Sequence, residues 1–171
     1  MDALKTKIRH VPDFPRPGIL FYDITTLLRD SEGFQLAVDC LVEPFRRQPV
    51  DSVVGIESRG FILGAAVADR LRAGFIPVRK AGKLPARTVR ATYELEYGTD
   101  SLEIHHDAVE PGQRVLIVDD LLATGGTARA AVELIRQTSG IVAGLTFLIE
   151  LEALNGRARL QNERVFAAVK Y

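Results

Sequence analysis

Val115-Leu116-Ile117-Val118-Asp119-Asp120-Leu121-Leu122-Ala123-Thr124-Gly125-Gly126-Thr127-Ala128-Arg129-Ala130 is the stretch around which the rest of the chain is organised. Four β-branched or aliphatic residues in a row, Val115 to Val118, predict a buried parallel strand. Two carboxylates stand at its C-terminal end, and a loop of small residues and hydroxyls opens a helix. Ala128, Ala131, Val132 and Ile135 follow the three-and-four spacing of a helix that packs back on a sheet. Open α/β sheets bind ligands at the carboxyl ends of their strands.

The loop's chemistry follows from its residues. Gly125 and Gly126 allow close backbone approach to a ligand. Free N–H groups at a helix start suit a phosphate, and Thr124 and Thr127 add hydroxyl donors. Asp119 and Asp120 are anions and acceptors, so they repel phosphate but can accept hydrogen bonds from vicinal hydroxyls such as those of a ribose. Together these groups would bind a sugar 5-phosphate. No Gly-Lys-Ser/Thr follows, so this is not a Walker loop, and the dinucleotide fingerprint Gly-x-Gly-x-x-Gly is absent. The alternative is an ordinary strand-loop-helix with solvated acids.

Other segments add weaker signals. Val53-Val54-Gly55-Ile56 is a second buried strand, closed by the turn Glu57-Ser58-Arg59-Gly60. Arg59 offers a planar fork for an anion; a turn closed by a Glu57–Arg59 contact is the alternative. Helices are expected at residues 3–9, 33–47 and 61–71, the last apolar nearly all round and so deeply packed. Arg79, Lys80 and Lys83 cluster after a strand at Phe75–Val78, which fits either a polyanion site or a solvated loop. Thr88–Tyr93 and Ser101–His105 alternate as a hairpin, with Glu96 near its tip. His105 and His106 are neighbours on a strand, point to opposite faces, and are expected to be structural. Residues 11–25 carry three prolines and a glycine, an irregular segment ending in apolar and aromatic residues.

Composition excludes several classes. The chain has 171 residues, 22 basic against 22 acidic, which bounds it to one domain. Zero net charge lacks the basic excess of a nucleic-acid footprint. No apolar run reaches the ~18 residues of a membrane span. A single cysteine, Cys40, cannot form an internal disulfide and points to a reducing, cytoplasmic setting; its helical neighbours predict a buried, inert thiol.

The Val115–Ala130 stretch resembles the phosphoribosyl-pyrophosphate signature of the type I phosphoribosyltransferases. In detail, Val-Asp-Asp-Leu-Leu-Ala-Thr-Gly-Gly-Thr is similar to the adenine-specific branch of that family. The similarity runs from Phe14 to about Leu151. It implies a type I phosphoribosyltransferase fold: a mainly parallel twisted α/β sheet flanked by helices, with an N-terminal hood over about 11–25 and a flexible lid over about 79–106. It implies transfer of phosphoribose from phosphoribosyl pyrophosphate to adenine, with Mg²⁺ carried by the substrate and no direct protein ligand. The ribose 5-phosphate would lie on Asp119, Asp120, Ala123, Thr124, Gly125, Gly126 and Thr127. Pyrophosphate would lie on Glu57, Ser58, Arg59, Gly60, Arg79, Lys80 and Lys83. Leu20, Phe21 and Tyr22 would meet adenine, although the family usually has an arginine where this chain has Tyr22. Glu96 would act in proton transfer, with Arg59 and Lys83 stabilising charge. Lys80 and its neighbours resemble residues that the family shares between subunits, so a homodimer is expected. A transferase for another base, or a purine-sensing regulator on the same fold, are the alternatives.

Overall fold

The computed structural model describes residues 2–94 and 98–171. Asp2–Lys5 forms one helical turn, α1, shorter than the helix expected over 3–9. The chain then becomes extended. β1 (Arg9–Pro12) and β2 (Leu20–Asp23) pair antiparallel, His10 opposite Tyr22 and Val11 opposite Phe21. The proline-rich segment is therefore the tip and return strand of a two-stranded ribbon. Its base is closed by Arg9 and Asp23, 2.5 Å apart. The Thr25 N–H and the Arg9 guanidinium hold the Asp23 carboxyl down at about 2.

After the turn α2 (Thr25–Leu28), Asp30 caps α3 (Ser31–Val42), its carboxylate accepting the Gly33 N–H at 2.6 Å, the usual role of an N-cap acid. Pro44 cannot continue an α-helix, so Glu43–Phe45 tightens into a 3₁₀ turn. Next come β3 (Ser52–Ile56), α4 (Arg59–Leu71), β4 (Gly74–Lys80), the hairpin β5 (Thr88–Glu94) and β6 (Thr99–His105), β7 (Arg114–Leu122), α5 (Gly126–Gln137) and β8 (Ile141–Glu150). Two 3₁₀ turns, Glu152–Leu154 and Gly156–Leu160, lead to β9 (Val165–Lys170).

Seven strands lie in the order β5-β6-β4-β3-β7-β8-β9. The five from β4 to β9 are mutually parallel, and the hairpin adds an antiparallel edge. The central parallel strands β3, β7 and β8 are buried along most of their length on both faces, as continuous apolar runs require. Val54, Ile56, Val115 and Ile117 join the core under α5, while Val53, Leu116 and Val118 join the core under α3 and α4.

Three expectations change in detail. β7 runs past Val118 to Leu122, because Asp119, Leu121 and Leu122 keep pairing with Phe147, Ile149 and Glu150. Both carboxylates are thus held on strand backbone. Arg79 and Lys80 likewise belong to β4. α4 is not buried all round: Leu63, Gly64 and Val67 pack inward, while Ile62 is 47% exposed.

The chain runs from β3 outward to β4 in one direction, and from β7 through β8 to β9 in the other. The topological switch point lies between β3 and β7, where such sheets open a crevice. The turns leaving those two strands carry the two loops singled out above.

Candidate active site

A cleft of about 510 Å³ opens at this switch point. It is lined by Glu57, Ser58 and Arg59 from the β3–α4 turn and by Asp119 through Ala128 from the end of β7 and the start of α5. Lys80 of β4 and Tyr93, Asp100 and Leu102 of the hairpin complete it. Two helices of 13 and 12 residues begin at its rim. Among the described residues no side chain caps either N-terminus: Ser58 makes no capping bond before α4, and Gly125 has none to offer before α5. The first N–H groups of both helices, apart from that of Phe61, which donates to the Ser58 carbonyl at 3.2 Å, remain for a ligand, with both dipoles positive toward the cleft. The arrangement can accept two anions, one at each helix start.

The turn before α4 contains a cis peptide between Glu57 and Ser58. Gly60 must be small because its helix sits against β7. A Cβ there would fall 2.8 Å from Asp119 Oδ1 and 3.0 Å from the Val118 carbonyl oxygen. Gly60 therefore acts by close packing and does not itself line the cleft.

The two carboxylates of β7 differ. Asp120 is 7% exposed and meets Arg59 Nε at 2.7 Å. Asp119 accepts the Asp120 N–H at 2.9 Å. Burial, followed by the neighbouring Asp120 charge, pushes the Asp119 carboxyl well above its ordinary range. Burial also raises Asp120, though Arg59 opposes the rise. A pair of acids, Asp120 buried and Asp119 half-buried, beside an open cleft is a prepared acceptor site for hydroxyls, or for a positive charge developing between them.

The phosphate loop is braced from behind. Gly125 adopts φ +81°, and a Cβ on it would strike the Gly156 carbonyl oxygen at 2.4 Å. A Cβ on Gly156 would lie 2.1 Å from the Ala123 carbonyl oxygen and 2.9 Å from Gly125 N. The Gly156–Leu160 turn is fixed in its turn by Arg157, which donates to both oxygens of Glu150 at 2.8 and 2.7 Å. Gly126 faces the hairpin: its Cβ would meet the Tyr93 ring at 3.3 Å.

The expected pyrophosphate cations each have an internal acid. Lys83 lies 2.5 Å and Arg79 3.3 Å from the Glu57 carboxylate, which also accepts the Lys80 N–H at 3.2 Å. Burial pushes the Glu57 carboxyl up, but Lys83 and Arg79 outweigh it and the net shift is downward. Glu57, an anion placed among anion-binding residues, serves here to hold cations. Lys80 reaches across to Asp100 at 3.1 Å, and Asp100 also accepts from the Tyr93 hydroxyl at 3.3 Å. Arg79, Lys83 and Gly60 are thus one shell behind the cleft, and Lys80 lines it.

The ribbon reaches the site from the side. The Arg59 guanidinium sits 5.4 Å from the centre of the Phe21 ring, and Phe14 packs edge-on to Phe21 at 5.1 Å. Phe14, Ile19 and Leu20 are 50%, 41% and 43% exposed, an apolar surface at the ribbon's tip and return strand. None of Leu20, Phe21 and Tyr22 lines the cleft itself; Phe21 borders it through Arg59, whereas the Tyr22 ring points elsewhere. Alternation on β2 turns it away from Phe21, and it stacks on Tyr171 with ring centres 4.1 Å apart. The expected proton-transfer residue Glu96 lies outside the described residues.

Tyr93, Asp100, Leu102 and Gly156 were not expected at the site. The first three had a signal. The hairpin's alternation, continued past Ala91, turns Tyr93 to the same face as Leu102 and Ile104, and Tyr93 pairs with Asp100. Gly156 had no local signal, since its partner is 31 residues away.

Residues 32–159, three-quarters of the chain, match the family model of the phosphoribosyl transferase domain. An adenine phosphoribosyltransferase of Acidobacterium capsulatum is 60% identical over 170 residues, covering 99% of this chain and 94% of the relative. One from Solibacter usitatus is 60% identical over 171 residues, covering 100% and 99%. The chain belongs to the adenine phosphoribosyltransferase family. Solved structures of adenine phosphoribosyltransferases share its fold. That from Rhodothermus marinus superposes with TM-score 0.95 at 54% identity, covering 99% of this chain and 97% of that one. That from Saccharomyces cerevisiae, complexed with an imino-altritol bisphosphate and adenine, has TM-score 0.92 at 44% identity, covering 98% and 97%. The fold is therefore that of the type I phosphoribosyltransferases, and the cleft described above occupies its strand ends.

Proposed function

We propose that this chain is a purine salvage transferase that converts adenine and phosphoribosyl pyrophosphate to AMP and pyrophosphate. One observation carries the reading beside the family. Two uncapped helix starts face one cleft across a pair of carboxylates, one buried and one half-buried, a pattern that suits a ribose with phosphates at both ends.

The 5-phosphate takes the N–H groups that begin α5 and the hydroxyls of Thr124 and Thr127. The ribose hydroxyls donate to Asp119 and Asp120. The pyrophosphate takes the start of α4, Arg59 and Lys80, with Arg79 and Lys83 released from Glu57. Mg²⁺ enters as part of the substrate. As a hard cation it is held mostly by substrate oxygens and water. Bound there, it screens the leaving group's charge.

Cleavage at the anomeric carbon leaves positive charge on the ribose and negative charge on pyrophosphate. The Asp119–Asp120 pair faces the first, and the cations and helix dipole face the second. Fixed charges aimed at developing charges are the main catalytic contribution. Adenine lies under the apolar ribbon surface of Phe14, Leu20 and Phe21, close to Arg59. Glu96 exchanges the purine proton when the hairpin closes as a lid.

The remaining proposals rest on the same elements. A homodimer is supported by exposed apolar Phe75 on β4, the strand that carries Arg79 and Lys80. Cytoplasmic location is supported by a single unpaired cysteine.

The test is initial-rate AMP formation with Mg²⁺ and phosphoribosyl pyrophosphate, adenine against hypoxanthine, guanine and orotate. Adenine is expected to be far the best. A preference for a 6-oxopurine or orotate refutes the adenine assignment.

A further inference from the structure

We infer that Tyr171, through its stack on Tyr22, is a positioning residue for the base-covering ribbon, so that it governs affinity for adenine without touching adenine. The inference rests on the adenine reading above and adds a residue to it.

The ribbon has two aromatic anchors, one on each face. Phe21 lies over Arg59 at the mouth of the cleft, 5.4 Å from the guanidinium carbon. Tyr22, the next residue and so on the opposite face, lies on Tyr171 with ring centres 4.1 Å apart and planes 30° from parallel. His10, opposite Tyr22 in the ribbon, meets both rings edge-on, at 5.1 Å to Tyr22 and 5.4 Å to Tyr171. The Lys5 ammonium sits 5.0 Å from the centre of the Tyr171 ring. Tyr171 itself is rigidly placed. Its N–H donates to the Glu150 carbonyl at 3.0 Å, and its carbonyl accepts the Glu152 N–H at 2.9 Å. It is thereby locked to the end of β8 and the turn that follows, part of the same framework that carries the phosphate loop.

The consequence is mechanical. Leu20 and Phe21 have their height over the cleft set by the strand that bears them. That strand is held on its other face by Tyr22. Phe14, Ile19 and Leu20 are largely exposed and contribute little anchoring of their own. Removing the Tyr171 ring leaves Phe21, among the described residues, as the aromatic contact tying β2 to the site. The ribbon then samples positions that do not cover a bound base. Phosphoribosyl pyrophosphate is bound by α4, α5 and the carboxylates, none of which the stack supports, so its affinity is untouched.

The experiment measures KM for adenine and for phosphoribosyl pyrophosphate in wild type, Tyr171→Ala, Tyr22→Ala and Tyr171→Phe. Amide hydrogen exchange over residues 20–23 is followed in parallel without substrate. An aromatic pair of this kind sets the scale at roughly three- to ten-fold. KM for adenine is expected to rise by that factor in both alanine variants, with KM for phosphoribosyl pyrophosphate within twofold of wild type. Exchange over 20–23 should quicken, and Tyr171→Phe should restore both. The double alanine variant should be no worse than either single one, because each removes the same contact. Unchanged exchange in Tyr171→Ala, an equal rise in both KM values, or no rescue by phenylalanine overturns the inference. If wild type makes no AMP from adenine, the substrate assignment fails instead, and the exchange measurement still decides whether the stack holds the ribbon.

Discussion

Gly156→Ala tests whether the wall behind the phosphate loop sets its ligand geometry. Gly156 lies outside the signature and does not line the cleft. Its φ is not in the left-handed region, since the positive-φ glycines are Gly18, Gly82, Gly98, Gly112, Gly125 and Gly144. Alanine can therefore adopt the local backbone, and the effect comes from contact alone. The new methyl would stand 2.1 Å from the Ala123 carbonyl oxygen, 2.9 Å from Gly125 N and 3.0 Å from the Ala123 carbonyl carbon. All three are loop backbone, which cannot swing aside as a side chain would. Reaching van der Waals separation requires a shift of roughly 1 Å, and the Arg157–Glu150 pair keeps the turn from giving way. A displacement of that size in a positioning element costs on the order of 10²-fold. Losing one or two charge-assisted hydrogen bonds at about 1.5–3 kcal/mol each gives a similar factor or more. Stability should fall by only about 1–3 kcal/mol, as for an overpacked site. Calorimetric titration with AMP reads the binding loss directly, and thermal melting confirms that the variant is folded. AMP affinity within threefold of wild type, in a folded protein, would refute the brace.

The buried acids give a prediction of opposite sign for stability and binding. The Asp119 carboxyl is held well above its ordinary 3.8 by burial and by Asp120, so the folded chain holds a proton more tightly than the unfolded one. Stability is therefore highest at low pH and falls as pH rises from that ordinary value through the raised one. Asp119→Asn should raise the melting temperature at pH 8 by about 2–4 °C per kcal/mol recovered while weakening AMP. A lower melting temperature at both pH 5 and pH 8 would show that its ionisation is not a burden. Glu96→Gln should bind both substrates nearly as wild type does, yet slow single-turnover AMP formation by ~10²–10⁴-fold; a fall of less than about threefold removes Glu96 as the proton-transfer group.

What the sequence revealed was local. β7, its carboxylates and the start of α5 were legible because strand, loop and helix are consecutive and each is coded by residue type. β3 and the turn at Glu57 were legible for the same reason. The ribbon was missed because three prolines and a glycine suggest irregular chain, whereas Arg9–Pro12 finds its partner across a long tip. Tyr22 was expected at the base, and no sequence rule could see the ring of Tyr171, 149 positions on, that takes it away. The Gly125–Gly156 contact was invisible likewise: either glycine alone reads as a turn, and only the fold places them back to back.

The same limit applies to charge, and it explains why an acid stands in each anion-binding segment. Arg59 pairs with Asp120, Arg79 and Lys83 with Glu57, and Lys80 with Asp100. These cations keep 33–55% of their side chains exposed, so what the acids chiefly offset is the repulsion among four positive charges gathered in and behind one cleft. The carboxylates hold them in place, and on the proposed function would do so until a pyrophosphate binds. Binding is then an exchange of partners: the ligand gains only the difference between its contacts and those it displaces. That difference grows where the ligand carries more charge than one carboxylate, as each phosphate of a pyrophosphate does. A monovalent anion should displace the pairs poorly, a divalent one well. On the proposed function, selection by charge would follow from the pairing itself, with Glu57 as the group a pyrophosphate would replace.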